Sequence, residues 1–118
     1  DSLSESLIQL RDALRAFAAE RDWDQFHSPR NLATALAVEA AELLEPFQWR
    51  SDEQSANLSP QTRAAVEQEM ADVLLYLVRL ADKLDVDLAA AARAKIVKNG
   101  EKYPVEKSRG SSRKYTEI

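Results

Sequence analysis

Two pairs of acidic residues lie on helical patterns that are otherwise apolar. Glu39 and Glu42 are three residues apart in a stretch rich in alanine and leucine, and Glu69 and Asp72 repeat that spacing further along the chain. Residues three apart share one face of an α-helix, so each pair lies on or beside the apolar face of its helix. Buried carboxylates repel one another unless a cation lies between them, and hard cations such as Mg²⁺ prefer oxygen ligands. The pattern therefore predicts a Mg²⁺ site built by two helices.

The alternative for these acids is an ordinary solvated helix surface. A single acidic pair with this spacing is more often solvated than metal-binding, because short motifs recur by chance. Two such pairs, on helices able to pack antiparallel, favour the metal site. Glu45 and Glu67 fall away from the apolar faces, and we expect both to be solvated.

A cluster of opposite polarity follows near the end of the last predicted helix. Lys95 and Asn99 are four residues apart, and Lys102 and Tyr103 come one turn later. Ammonium and amide groups in this arrangement can bind phosphate oxygens. The alternative is that basic residues here only complement the negative end of the helix macrodipole.

Aromatic residues mark the connections between helices. Trp23, Phe26, His27, Phe47 and Trp49 all lie where a connection begins or ends. Aromatic rings beside a charged site can stack on a nucleobase, although such rings more often close the end of a helical bundle. His27 is the lone histidine, and as such is more typical of packing or hydrogen bonding than of a catalytic base.

The elements that must position these residues are four helices. Ser-Pro pairs at 28–29 and 59–60 mark the starts of the second and third helices, as N-cap and first-turn proline. Pro46 limits the second helix, and Gly100 is expected to close the fourth as a left-handed cap. The expected ranges are 2 to about 21, 29 to about 45, 60 to about 84 and about 88 to 99.

No stretch shows the alternation of a strand, so the fold class is all-α, resembling a four-helix bundle. We expect one domain over residues 1–104 and a polar, basic tail over 105–118 that is extended or disordered when alone. The first helix has only a narrow apolar seam and the bundle is small. Self-association would bury more apolar surface, so we expect an oligomer.

Composition restricts the function further. The chain has 118 residues, 45% of them hydrophobic, and a net charge of −4. The acidic balance argues against a stable nucleic-acid-binding surface. Cysteine is absent, which excludes disulfides and thiolate metal ligands. Apolar runs are too short to span a membrane, and we expect a soluble cytoplasmic protein.

The acidic motifs resemble those of a known enzyme family. EAAE at 39–42 and EMAD at 69–72 match the ExxE and ExxD pattern of the MazG-like, all-α nucleoside triphosphate pyrophosphohydrolases. Stretches including "DWDQFHSPRN", "FQW", "KIVKNGEKYP" and "SSRKYTE" are similar to the dCTP pyrophosphatase subfamily. The resemblance covers roughly residues 7 to 117.

The resemblance implies a reaction and a set of site residues. Such enzymes cleave a nucleoside triphosphate between the α- and β-phosphates, giving a monophosphate and pyrophosphate, and so clean the nucleotide pool. The residues that match the family's Mg²⁺ ligands are Glu39, Glu42, Glu69 and Asp72. One of these carboxylates would help to activate the attacking water, directly or through the metal. The family is typically dimeric or tetrameric.

The substrate-binding residues are likewise implied by the resemblance. Positions associated with the phosphates are Lys95, Asn99, Lys102 and Tyr103. Positions around the base and sugar are Trp23, Trp49 and Tyr76, and His27 lies in the same matching stretch.

The sequence departs from its relatives at three places. Leu14 stands where some dCTP pyrophosphatases have a histidine, which bears on base preference. Lys102 stands where relatives often have arginine, and a lysine lacks the bidentate fork of a guanidinium. The connection at 50–58 is also shorter, which affects how Trp49 is presented.

Three functions remain open on the sequence alone. The first is hydrolysis of dCTP or a modified dCTP. The second is the same reaction on dUTP, dATP or an oxidised purine nucleotide, because stacking aromatics accept any base. The third is a non-catalytic helical oligomer that binds a nucleotide or a protein, which the presence of all four acids disfavours.

Overall fold

A computed structural model describes residues 1–117, and every regular element in that range is helical. This confirms the all-α class. The helices are α1 (Ser2–Glu20), α2 (Pro29–Leu44), α3 (Asp52–Ala56), α4 (Pro60–Lys83), α5 (Leu88–Lys102) and α6 (Val105–Ser108), with 3₁₀ turns at Asp24–Phe26 and Tyr115–Glu117. None of the helices in the described range is long and apolar enough to cross a membrane.

Local sequence signals explain where the long helices begin. The Ser28 side chain accepts a hydrogen bond from the backbone N–H of Asn31 at 3.1 Å, and Pro29 follows in the first turn. The Ser59 side chain likewise accepts from the backbone N–H of Thr62 at 3.2 Å, and Pro60 follows it. Both caps satisfy backbone donors that the first turn leaves without an intrahelical partner. The two predicted Ser-Pro starts are confirmed.

The chain forms two compact units, one spanning Asp1–Val86 and a second beginning at Asp87. In the first unit, α4 packs against both α2 and α1. Its buried apolar side chains are few and mostly small: Ala18, Leu32, Val66, Val78 and Ala81. The predicted domain boundary at residue 104 stays a prediction.

Two expectations about the connections are wrong. The polar segment after Trp49 contains the short helix α3, which a capping box starts: the Ser51 side chain accepts from the Gln54 backbone, and the Gln54 side chain accepts from the Ser51 backbone. Gly100 does not close the fourth helix. It has no positive φ, and α5 continues through it until Pro104 prevents extension.

The tail is also more structured than expected. Residues Val105–Ser108 form α6, which begins directly after Pro104, and a 3₁₀ turn follows at Tyr115–Glu117. Pro104 is the N-cap residue of α6, in an extended conformation with ψ 147°. Ile118, the end of the predicted tail, lies outside the described residues.

Candidate active site

Three of the predicted acidic residues converge where α2 packs against α4. Glu39 comes from α2, and Glu69 and Asp72 come from α4. One carboxylate oxygen of each lies within 4.8 Å of the others. Glu39 and Glu69 are half-buried and Asp72 is exposed, so the cluster opens to solvent on the Asp72 side.

Glu42 lies one turn beyond Glu39 and is half-buried. The pKa of its carboxyl is raised, first by the side-chain interaction with Glu39 and then by that neighbour's charge. The pKa of Glu39 is raised in turn, first by its side-chain interaction with Glu69 and then by burial. Both shifts are the expected response of carboxylates held close together. The fourth acid thus adjoins the group of three.

Two carboxylate oxygens in the cluster lack a protein partner. Oε2 of Glu39 and Oε2 of Glu69 are buried, and neither has a hydrogen-bond partner within residues 1–117. A buried anionic oxygen without a donor is costly, and a divalent cation satisfies several such oxygens at once. The donor set, with carboxylate oxygens alone, is the type that Mg²⁺ accepts. These residues therefore fit a Mg²⁺ ion.

An apolar cleft of about 390 Å³ adjoins the acids and includes Asp72 in its wall. Most of the wall is leucine, alanine and phenylalanine, contributed by α1, α2 and α4. The other side chains in it are Trp23, His27, Asp72, Tyr76 and Arg79. A mostly apolar cleft with a few convergent polar groups is typical of a small-molecule site.

Part of the cleft wall consists of aromatic rings in edge-to-face contact. Trp23 meets Phe17 edge-to-face at 5.6 Å between ring centroids, and meets His27 at 6.4 Å. Asp22 adopts a left-handed conformation (φ 52°) that turns the chain after α1. The Trp23 backbone then donates to the carbonyl of Ala18 at 2.9 Å. This turn places the indole beside the cleft.

A buried arginine, which the sequence reasoning missed, lies behind His27. Arg79 is only 6% exposed. Its Nε donates to Nδ1 of His27 at 3.2 Å, its Nη2 to Asp24 at 2.7 Å and its Nη1 to Asp82 at 3.3 Å. Arg15 adds two hydrogen bonds to Asp82, from Nε at 2.8 Å and from Nη2 at 2.5 Å.

This network explains several shifted pKa values. The Arg15 hydrogen bond lowers the pKa of Asp82, and the Lys83 ammonium, hydrogen-bonded to Asp24, lowers the pKa of that carboxyl. Burial, followed by the charges of Arg79 and Lys83, lowers the pKa of His27. In the sequence, Arg79 is three residues after Tyr76 and three before Asp82, within an apolar run, but its partners His27 and Asp24 are 52 and 55 residues away.

Of the remaining predicted substrate-binding residues, Trp49 belongs to the first unit and the others to the second. Trp49 is 88% exposed and is not part of the cleft wall. Lys95 and Asn99 are exposed on α5, in the second unit. Lys102 ends α5 with its ammonium 4.9 Å from the centre of the Tyr115 ring, and Tyr103 meets Tyr115 edge-to-face at 6.0 Å. Tyr115 was not among the predicted residues.

Comparison with known proteins settles the family. The sequence profile of the MazG-like family matches residues 34–118. The chain belongs to the MazG-like family. It is 49% identical to dCTP pyrophosphatase 1 of Bos taurus over 115 residues, which covers 96% of this chain and 68% of the relative. The same values hold for dCTP pyrophosphatase 1 of Homo sapiens.

A solved structure has the same fold. The crystal structure of a pyrophosphatase from Archaeoglobus fulgidus matches with a TM-score of 0.79 and 41% sequence identity, covering 84% of this chain and 93% of that one. The MazG-like relatives and this structure make the chain an enzyme of the nucleoside triphosphate pyrophosphatase class. The predicted family and enzyme class are confirmed.

Proposed function

We propose that the chain is a Mg²⁺-dependent hydrolase that cleaves a deoxynucleoside triphosphate between its α- and β-phosphates. The preferred substrate is dCTP or a modified dCTP, and the products are the monophosphate and pyrophosphate. One observation carries the proposal: Asp72 belongs both to the carboxylate cluster and to the wall of the apolar cleft. A ligand with its base in the cleft would therefore place its phosphates toward the acids.

The metal would be held by the four carboxylates. Glu39, Glu69 and Asp72 offer oxygens within 4.8 Å of one another, and Glu42 adjoins them. When bound, Mg²⁺ neutralises charge on the phosphates and makes a coordinated water more acidic. A carboxylate of the cluster would accept the proton of the attacking water, directly or through a metal-bound water.

The base would lie in the cleft against the Trp23 indole. His27 and Tyr76 offer polar groups in the same wall, and Leu14 adds an apolar surface. An aromatic face stacks on any base, so discrimination depends on the polar groups and on shape. The similarity to dCTP pyrophosphatase 1 supports cytosine as the preferred base.

The family resemblance implies that residues at the end of α5 bind the phosphates. Lys95, Asn99 and Lys102 present two ammonium groups and an amide on or near one side of α5, and Tyr103 follows. A Lys95→Gln variant should raise KM for the triphosphate because it removes one phosphate-binding charge. The Arg93→Gln variant, two residues away and so on the opposite side of the same helix, is the matched control.

The enzyme would act as a homo-oligomer, a dimer or a tetramer. Met70, Leu74 and Leu77 form an exposed apolar stripe on α4, with 56%, 42% and 37% of each residue exposed. Contiguous apolar surface of this kind is typical of an interface. We further propose that it acts in the cytoplasm on the free nucleotide pool, with no stable nucleic-acid partner and no membrane partner.

The experiment is ³¹P NMR of products from a panel of nucleotides, with and without Mg²⁺. The proposal expects a monophosphate and pyrophosphate, formed only with the metal and fastest from dCTP or a modified dCTP. Faster turnover of dUTP, dATP or an oxidised purine nucleotide would support the proposed reaction but contradict cytosine as the preferred base. Release of orthophosphate would contradict cleavage between the α- and β-phosphates. No turnover of any nucleotide would indicate a binding protein.

A further inference from the structure

The hydrogen bond between Arg79 and His27 determines where the imidazole carries its proton. A guanidinium has only donors and stays charged at all ordinary pH values. Since Arg79 Nε donates to Nδ1 of His27 at 3.2 Å, Nδ1 must supply a lone pair. A neutral imidazole with a bare Nδ1 has its proton on Nε2.

The surroundings of Arg79 keep this arrangement in place. The guanidinium is buried, and Asp24 and Asp82 accept from its other two nitrogens. It therefore has little freedom to rotate away from His27. Burial, followed by the charges of Arg79 and Lys83, lowers the pKa of the imidazole, and the charge of Asp24 acts in the opposite direction.

The other edge of the imidazole is available to a ligand. His27 lies in the wall of the cleft, next to Trp23. Within residues 1–117, no hydrogen bond joins Nε2 to another residue. Because most of the surrounding wall is apolar, an Nε2–H here is one of few polar groups that can meet a bound base.

We propose that Arg79 is a positioning residue that holds His27 as the neutral Nε2–H tautomer, and that this N–H donates to a carbonyl oxygen of the nucleobase. The inference rests on the proposed function, in which the cleft holds the base. Cytosine, uracil, thymine and guanine each have a ring carbonyl, whereas adenine has none. His27 would therefore select against adenine nucleotides, a discrimination that stacking on Trp23 cannot supply.

The tautomer can be measured directly, because His27 is the lone histidine of the chain. Long-range ¹H–¹⁵N correlation NMR of the ¹⁵N-labelled protein at neutral pH should show an unprotonated Nδ1 and a protonated Nε2. Proton on Nδ1, or on both nitrogens, would overturn the proposal without any variant. In Arg79→Lys the Nδ1–H tautomer should appear. Lys83→Met, which loses an ion pair to Asp24 but keeps Arg79, should retain the wild-type tautomer.

The donor role is tested by binding of dCMP and dAMP, measured by calorimetry. We expect the wild type to bind dCMP more tightly, and His27→Phe to reduce that preference by about fivefold, the value of one hydrogen bond. His27→Gln, whose amide can donate from a similar position, should restore it. An unchanged preference in His27→Phe would overturn the proposal. The monophosphates are not hydrolysed, so their binding can be measured whether or not the protein is an enzyme. If His27 discriminated between them as expected but no nucleoside triphosphate were hydrolysed, only the proposed function would be contradicted.

Discussion

Glu39 and Glu69 approach each other across the contact between α2 and α4, and each keeps one buried carboxylate oxygen without a hydrogen-bond partner in residues 1–117. Two such anions weaken the fold unless a proton or a cation compensates them. The raised pKa of Glu39 has this origin. The arrangement therefore lowers stability in the absence of metal and favours metal binding.

Glu39→Gln should stabilise the metal-free protein at neutral pH. The substitution removes the negative charge that is repelled by the carboxylate of Glu69, and it keeps the size of the side chain. Thermal unfolding without metal should give a higher Tm than the wild type. On adding Mg²⁺, the wild-type Tm should rise by linkage and that of the variant should rise less. Glu67→Gln, an exposed glutamate on α4, is the control and should respond to Mg²⁺ like the wild type. A lower metal-free Tm in Glu39→Gln would contradict the account.

Asp82→Asn should destabilise the fold by about 2 kcal/mol, because Arg79 is left buried with one carboxylate fewer. The Asp82 side chain is 10% exposed and accepts hydrogen bonds from both Arg15 and Arg79. Urea unfolding measures the change. Glu67→Gln loses only an exposed ion pair to Arg63 and should change stability by less than about 0.5 kcal/mol. Equal effects of the two substitutions would argue against the buried network.

The contribution of His27 to the free energy of unfolding should decrease on acidification. Its folded-state pKa is lowered from the ordinary value of 6.5, so the unfolded chain takes up the proton first. The contribution is present above pH 6.5 and is lost as the pH falls below it. Since Glu39 and Glu42 have raised pKa values and act in the opposite direction, the test is the difference between wild type and His27→Gln. That difference should change by at most about 1.4 kcal/mol per pH unit. If the free energies of unfolding of the wild type and of His27→Gln changed equally from pH 7 to 5, the prediction would be refuted.

Leu74→Glu should dissociate the proposed oligomer. Leu74 is 42% exposed on α4, so a glutamate there leaves the core of the chain intact. Light scattering coupled to size exclusion should show a smaller species than the wild type, while Leu74→Met should retain the wild-type mass. A wild type that is monomeric at all concentrations would contradict the oligomer proposal.

The features that the sequence predicted are those decided within one turn of helix. The side chains of Ser28 and Ser59 cap helices by accepting from backbone N–H groups three residues on, and the i, i+3 spacing of Glu69 and Asp72 brings both to one face. Gly100 was misjudged because its conformation depends on whether the helix continues, and the next stop is Pro104. Arg79 was missed for a different reason. Its partner His27 lies 52 residues away, and no local pattern shows that a charged residue in an apolar run will be buried by such a contact.

The central claim is that the carboxylate cluster performs the hydrolysis, and a matched pair on α4 tests it most directly. Turnover of dCTP with Mg²⁺ should be measured by ³¹P NMR for the wild type, Glu69→Gln and Glu67→Gln. We predict dCMP and pyrophosphate from the wild type and from Glu67→Gln at similar rates, and a loss of at least about a hundredfold in Glu69→Gln. Glu69→Gln turnover within a few-fold of the wild type would contradict the account.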